Sequence, residues 1–189
     1  MGGAPEEAAT DGKGTIYVDI EDAHSIAVVD AKTLTVKTHY DLAGKGDGCA
    51  GLALDVKNQV LFAACRNPQN MVILSARDGK ILETLPLAGG SDGAVFNPKT
   101  MEAFSSHGNG TLSVIKEKSP TSFAVEQTLK TMTGAKTLTL DSKTGRILLI
   151  AAEYAAPAAN APPAAEKKGG RGPGRQMLPG SFSILVVGK

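Results

Sequence analysis

A short turn segment recurs four times along this chain at nearly constant spacing. Its copies occupy residues 11–14, 55–58, 97–100 and 141–144, at offsets of 44, 42 and 44 residues. A repeat of this length is typical of architectures that stack one supersecondary unit per copy. The repeat therefore restricts the possible folds more than any feature of the composition does.

Each turn lies between two short apolar runs, and in most copies two further runs follow. The runs are rich in β-branched residues and have no sustained period of 3.6, which indicates strands rather than helices. Four antiparallel strands in about 44 residues predict a blade of an all-β β-propeller. A β-sandwich with accidental self-similarity is the alternative. We expect four blades at about 2–47, 48–92, 93–134 and 135–189, the last without its outer strand.

The residues of the first two copies resemble a known family. The runs 15–18 (TIYV), 25–33 (SIAVVDAKT) and 51–55 (GLALD) are similar to the core of YVTN-type, YncE-like propeller repeats. The third copy departs from the pattern at 115–118, where the Asp of the family is missing. The resemblance implies a propeller, a ring of about seven blades when complete, and a family that is mostly exported.

Four blades would make an open half-ring or partial propeller, and we expect this chain to be part of a larger ring. Open blades expose unpaired strand edges and apolar faces, which favour association. The expected partner is a second copy of the chain or the missing half of the ring, and a closed four-bladed ring is the alternative. The expected interface residues are Tyr17, Val18, Ile20, Phe182, Ile184 and Val186.

One face of a propeller carries the loops between the second and third strands and the loops between blades. The candidate ligand-binding residues on that face are Glu21, His24, Asp47, Arg66, Asp92, His107 and Glu153. They could bind a protein or a small polar ligand, although Asp47 and Asp92 could instead cap Gly-rich turns. The spacing of the histidines matches no metal motif, and the sequence predicts no cofactor, metal or catalytic residue.

The two cysteines, Cys49 and Cys65, flank a predicted hairpin folded about residues 56–59. In the register that we expect, which pairs Gly51 with Ala63, the two cysteines face each other and form a disulfide. Two reduced thiols are the alternative. A disulfide would indicate an oxidising compartment, so we expect a periplasmic or secreted protein.

Residues 155–180 differ in composition from the rest of the chain. They are rich in Ala, Pro and Gly and carry several basic residues, a composition that cannot bury enough apolar surface to order itself. We expect a disordered insertion between the second and third strands of the last blade.

Three functions are compatible with these observations, and we favour a non-catalytic extracytoplasmic interaction or scaffold module. A fragment of a propeller enzyme, lactonase-like or of the quinoprotein or haem-d1 type, is the first alternative. The predicted inner strands, however, carry few groups that could ligate a metal or haem. Binding of single-stranded DNA is the second alternative, but a net charge of +1, no Trp and 4% aromatic residues make nucleic acid an unfavoured partner. No run reaches the ~20 apolar residues that a membrane helix needs.

Overall fold

The computed structural model of the chain describes residues 1–155 and 176–188. Within those residues the chain forms fifteen strands and one 3₁₀ turn at Glu21–Ala23. The strands are β1 Pro5–Thr10, β2 Thr15–Ile20, β3 Ser25–Asp30, β4 Thr35–Asp41, β5 Gly51–Asp55, β6 Val60–Arg66, β7 Gln69–Ser75, β8 Ile81–Pro86, β9 Ser91–Asn97, β10 Glu102–His107, β11 Thr111–Ser119, β12 Ser122–Lys130, β13 Leu138–Leu140, β14 Ile147–Ala151 and β15 Ser183–Val187.

These strands form four separate antiparallel sheets in chain order. Sheet one contains β1–β4, sheet two β5–β8, sheet three β9–β12 and sheet four β13–β15. The first strands are neighbours in space, with β1 against β5, β5 against β9 and β9 against β13. The predicted all-β architecture of successive blades, the last with three strands, is confirmed. The sheets are not closed, so the closed four-bladed ring is not the arrangement that the chain adopts.

The repeated turn has the same local chemistry in every copy. An Asp or Asn side chain at its first position accepts a hydrogen bond from the backbone N–H two residues later, which fixes the chain reversal between the first and second strands. The oxygen-to-nitrogen distances are 2.7, 2.9, 3.0 and 2.9 Å for Asp11, Asp55, Asn97 and Asp141.

Apolar side chains fill the space between successive sheets. Ile26 and Leu61 belong to a buried cluster that joins sheets one and two. Between sheets two and three, Phe62 stacks on Phe96 at 5.4 Å and meets the edge of Phe123 at 5.9 Å between ring centroids. A third cluster joins sheets three and four. Each sheet is thus held mainly by its neighbours, as in other repeat folds.

The disulfide lies at the start of the second sheet. Cys49 and Cys65 are both buried, and their sulfur atoms are bonded. The expected strand register was wrong by one residue, because β5 and β6 pair Gly51 with Ala64 rather than with Ala63. The ladder begins only at Gly51, so Cys49 lies in the segment before β5, and its position is not set by that register.

Candidate interaction surfaces

A chain of ion pairs crosses the loop-bearing face. Arg66, at the end of β6, contacts Glu21 through Nη1, and its Nη2 lies 3.6 Å from Asp92 Oδ1. The Nζ atom of Lys136 lies 2.8 Å from the same Asp92 oxygen. These four side chains stand at the same end of four successive sheets. Glu21 follows β2, Arg66 ends β6, Asp92 lies near the start of β9, and Lys136 precedes β13. Three of the predicted residues are therefore in contact, and Lys136 is an addition that the sequence did not suggest.

Arg66 is the centre of this chain of charges. Its Nε also donates a hydrogen bond to the carbonyl oxygen of Ser91, at 2.9 Å. The side chains are partly exposed, and ion pairs of that kind contribute up to about 1 kcal/mol each. The arrangement connects the sheets and presents alternating charges, so a charged ligand on this face would compete with existing partners.

His24 and Asp47 form a second pair on the same face. The distance from His24 Nδ1 to Asp47 Oδ1 is 2.8 Å, and both side chains are about half exposed. The carbonyl oxygen of Asp47 accepts hydrogen bonds from the N–H groups of Arg66 and Asn67. The pair is therefore anchored beside the ion-pair chain and is accessible from solvent.

His107 is not on the loop-bearing surface, so its prediction as a surface ligand-binding residue is wrong. It is fully buried, with Nδ1 3.2 Å from Ser91 Oγ and Nε2 2.9 Å from Ser113 Oγ. The reason is that β10 extends to His107, which still pairs with Ser91 and Thr111 inside the sheet. Burial lowers the pKa of His107 to about 4, so the ring is neutral near pH 7.

Glu153 lies apart from the ion-pair chain, at a cavity between sheets three and four. The cavity has a volume of about 840 Å³, and Gly108, Lys136 and Tyr154 also line it. The Glu153 N–H donates a hydrogen bond to Ser181 Oγ at 3.1 Å. Lys136 is thus the one residue of the ion-pair chain that also lines this cavity.

The predicted insertion, 155–180, falls mostly at 156–175, outside the described residues. Its described ends differ from the expectation of disorder. Tyr154 and Met177 form an antiparallel bridge, and the Ala155 N–H donates to the carbonyl oxygen of Gln176 at 2.8 Å. The two ends are therefore paired, since polar backbone groups that meet there satisfy each other.

Two carboxylates of sheet one were missed by the sequence analysis. Asp19 is fully buried, and neither of its side-chain oxygens has a hydrogen-bond partner among the described residues. Burial, reinforced by the nearby charge of Glu7, raises the pKa of Asp19 well above its usual range. Glu7 itself points toward the first strands of sheets two and three. Alignment of the copies would have revealed it, because Gly51 and Gly93 stand at the equivalent position.

Sheet four has an open apolar face. Phe182, Ile184 and Val186 are 56%, 60% and 57% exposed. Ile184 pairs with Ile150 and Val186 with Leu148, so these side chains share one face of the sheet. Among the described residues no strand pairs with the outer edge of β15. The face and the adjoining edge together form a surface typical of association sites.

The corresponding residues of sheet one are buried, so their prediction as an exposed interface is wrong. Tyr17 faces sheet two, and its hydroxyl donates a hydrogen bond to the carbonyl oxygen of Ala76 at 2.9 Å. Val18 and Ile20 point to the opposite face, yet they are also buried. A covered face on sheet one is therefore the reason that the prediction fails.

The N-terminal segment, residues 1–4, crosses that outer face of sheet one. At one end the Glu21 N–H donates to the carbonyl oxygen of Ala4, at 2.9 Å. At the other end His39 Nε2 lies 3.1 Å from the carbonyl oxygen of Met1. His39 pairs with Ala27, which pairs with Val18, so all three share the covered face. The segment therefore passes over the face that the sequence analysis expected to be open.

Two further features are absent from residues 1–155 and 176–188. No group of three or more His, Cys, Asp or Glu residues there could hold a metal ion. That part of the chain also has no helix that is long and apolar enough to span a membrane.

Comparison with known proteins identifies the fold but not a family. No family model and no curated protein matches the chain. Among solved structures, hydrazine synthase of Kuenenia stuttgartiensis is similar with a TM-score of 0.67 and 12% identity, over 78% of this chain and 42% of that one. U3-55K is similar with a TM-score of 0.64 and 15% identity, over 80% and 47%. Both have β-propeller-type folds, and this chain spans less than half the length of either.

Proposed function

We propose that the chain is a non-catalytic interaction module of the YVTN propeller type that works outside the cytoplasm. Its partner is a second copy of the chain, which docks on the open face of sheet four. The observation that carries this proposal is the exposure of Ile184 and Val186 on one face of β15, with the exposed Phe182 just before the strand. Such a patch in water favours association, because each apolar side chain that leaves water contributes about 25 cal/mol per Å².

A two-fold pair of chains suits this face better than a ring in which the chains pack head to tail. Ring closure would require sheet four of one chain to pack on sheet one of the next. The outer face of sheet one, around Val18 and Ile20, is buried beneath residues 1–4. A two-fold pair uses the same patch on both partners and leaves sheet one unchanged. Ile184 and Val186 would then meet their counterparts near the symmetry axis.

Two observations support the family and the compartment. The YV and SIAVVD runs of the first copy stand on β2 and β3, where a YVTN-type repeat would have them. The Cys49–Cys65 disulfide is the kind of bond that persists in oxidising compartments and is rare in the cytosol.

Charge substitution on the open face tests the proposal. Ile184→Glu should convert the dimer to a monomer, because a desolvated carboxylate in an apolar interface is unfavourable. Val36→Glu is the matched control, since Val36 is also an exposed strand residue but lies on β4 of sheet one. Size-exclusion chromatography with light scattering measures both masses, and circular dichroism checks the strand content. A dimer that withstands Ile184→Glu, or dissociates equally with Val36→Glu, would overturn the proposal.

A further inference from the structure

Two backbone N–H groups converge on one side-chain oxygen at the inner edge of the sheets. Glu7 Oε2 accepts hydrogen bonds from the N–H of Leu52 and the N–H of Ala94, each at 2.8 Å. Leu52 belongs to β5 and Ala94 to β9, the first strands of neighbouring sheets. A carboxylate from sheet one is therefore held by sheets two and three together.

Close contact between the two strands produces this geometry. A Cβ atom added at Gly51 would lie 2.6 Å from the carbonyl carbon of Gly93 and 2.8 Å from the nitrogen of Ala94. The backbones of β5 and β9 thus touch at these glycines, and the next N–H of each strand points at the same place. A cradle built from backbone in two sheets is preorganised, since no side chain must reorient to form it.

The repeat explains why Glu7 can reach the cradle. Glu7 stands at the repeat position of Gly51, Gly93 and Thr137, with the same offsets of 44, 42 and 44 that separate the turns. The two glycines lack a side chain where the strands approach, and Glu7 alone of the four carries a carboxylate. Its side chain is consequently the group that fills the site.

Two converging N–H dipoles favour a negatively charged oxygen, as in an oxyanion hole. Burial raises the pKa of Glu7, the hydrogen bonds from Ala94 and Leu52 oppose that increase, and the negative charges of Asp92 and Glu6 add to it. The same two carboxylates disfavour a second anion at the site. Arg66 and Lys136 partly neutralise the negative charge of Asp92 through their ion pairs with it. The site thus suits one compact monoanion rather than a phosphate-sized dianion.

We infer that the N–H groups of Leu52 and Ala94 form a carboxylate-binding site, that Glu7 is its built-in ligand, and that a small monocarboxylate such as formate or acetate binds there when this side chain is removed. The inference is independent of the proposed interface on sheet four. A tethered ligand has a high effective concentration, so free carboxylate does not displace Glu7 from the unaltered protein. The site thereby connects sheet one to sheets two and three.

The test is chemical rescue of Glu7→Ala in the full chain. Thermal unfolding should occur at a lower temperature in this variant, and sodium formate should raise that temperature saturably. Sodium chloride at equal ionic strength and neutral acetamide should not. At about ten times Kd, formate should lower the unfolding equilibrium constant of the variant about elevenfold. Glu6→Ala is the matched control, because Glu6 is an exposed carboxylate on the same strand.

The inference would be overturned if formate raised the unfolding temperature equally in Glu7→Ala, Glu6→Ala and the unaltered protein. It would also be overturned if formate did not raise the unfolding temperature of Glu7→Ala at all. If Glu7→Ala is unfolded without carboxylate, formate should restore its fold, and failure to do so would also count against the site.

A measurement on the unaltered protein is independent of any variant. In a pH titration followed by NMR, the amide resonances of Leu52 and Ala94 should shift with one common midpoint. Different midpoints, or no shift, would contradict the shared carboxylate.

Discussion

Glu117 provides a quantitative prediction, because it is a buried carboxyl group with one oxygen unpartnered among the described residues. It lies on β11, and its Oε1 accepts a hydrogen bond from Asn58 Nδ2 at 2.7 Å, while Oε2 has no donor. Asp55, also buried, faces it with one oxygen likewise without a donor. Burial raises the pKa of Glu117 to about 7. The Asn58 hydrogen bond opposes the increase, and the Asp55 carboxylate adds to it.

The expected effect on stability follows from proton linkage. Between the ordinary pKa of 4.5 and the folded-state pKa of about 7, the folded chain holds a proton that the unfolded chain has released. The free energy of unfolding therefore falls as pH rises through this window. Once Glu117 is fully ionised, above about pH 7, the free energy of unfolding is lower by about 3 kcal/mol at most. Solvent near the pair would reduce it, so we expect about 2 kcal/mol.

Glu117→Gln should remove this loss. A glutamine keeps an oxygen that can accept from Asn58 and adds an N–H that can donate to Asp55, and it carries no charge. Urea unfolding at about pH 5 and about pH 8.5 should show the variant gaining about 2 kcal/mol, relative to the unaltered chain, only at the higher pH. Glu126→Gln is the control, since Glu126 is exposed on β12. It should have little effect at either pH.

Two results would contradict the linkage between Glu117 ionisation and stability. One is a Glu117→Gln effect that is the same at both pH values, since linkage requires a difference. The other is a variant that is less stable than the unaltered chain at the higher pH, which would mean that the ionised pair stabilises the fold.

Two further predictions concern the core. Breaking the Cys49–Cys65 disulfide, which closes a loop of about 15 residues, should lower the free energy of unfolding by about 3 kcal/mol. Thiol titration of denatured, unreduced protein should find no free thiol, and two reactive thiols would contradict the bond. Phe62→Ala, which removes the ring between Phe96 and Phe123, should reduce the free energy of unfolding by about 3–5 kcal/mol in urea titrations. Phe182→Ala should change it by less than about 1 kcal/mol because Phe182 is exposed, and equal effects would argue against this packing.

The sheets could be predicted from sequence because their determinants are local. The Asp or Asn at the first position of each turn accepts a hydrogen bond from the backbone N–H two residues later. Because this contact is local, the spacing of these residues along the sequence gives the length of the repeat. Alternation of apolar residues then sets the two faces of each strand. The result is a correct sheet order for all four copies.

The site was predicted less well because it depends on contacts distant in sequence. His107 follows a strand signal, which predicts a loop residue, but one further pair of strand residues at this end of the sheet buries it. The cover of residues 1–4 over sheet one has no sequence signature, and neither does the ion pair between Lys136 and Asp92, 44 residues apart. Glu7 was detectable in principle, since it interrupts a position that is otherwise Gly or Thr in the repeat.

Sedimentation velocity of the unaltered protein over a range of concentrations tests whether the chain associates through sheet four. We expect a dimer with twice the monomer mass at micromolar concentration, in reversible equilibrium with monomer on dilution. A monomer that stays folded and monodisperse across the range would contradict it. In that case the open face of sheet four, with Ile184 and Val186 in water, would not bind a second copy of the chain.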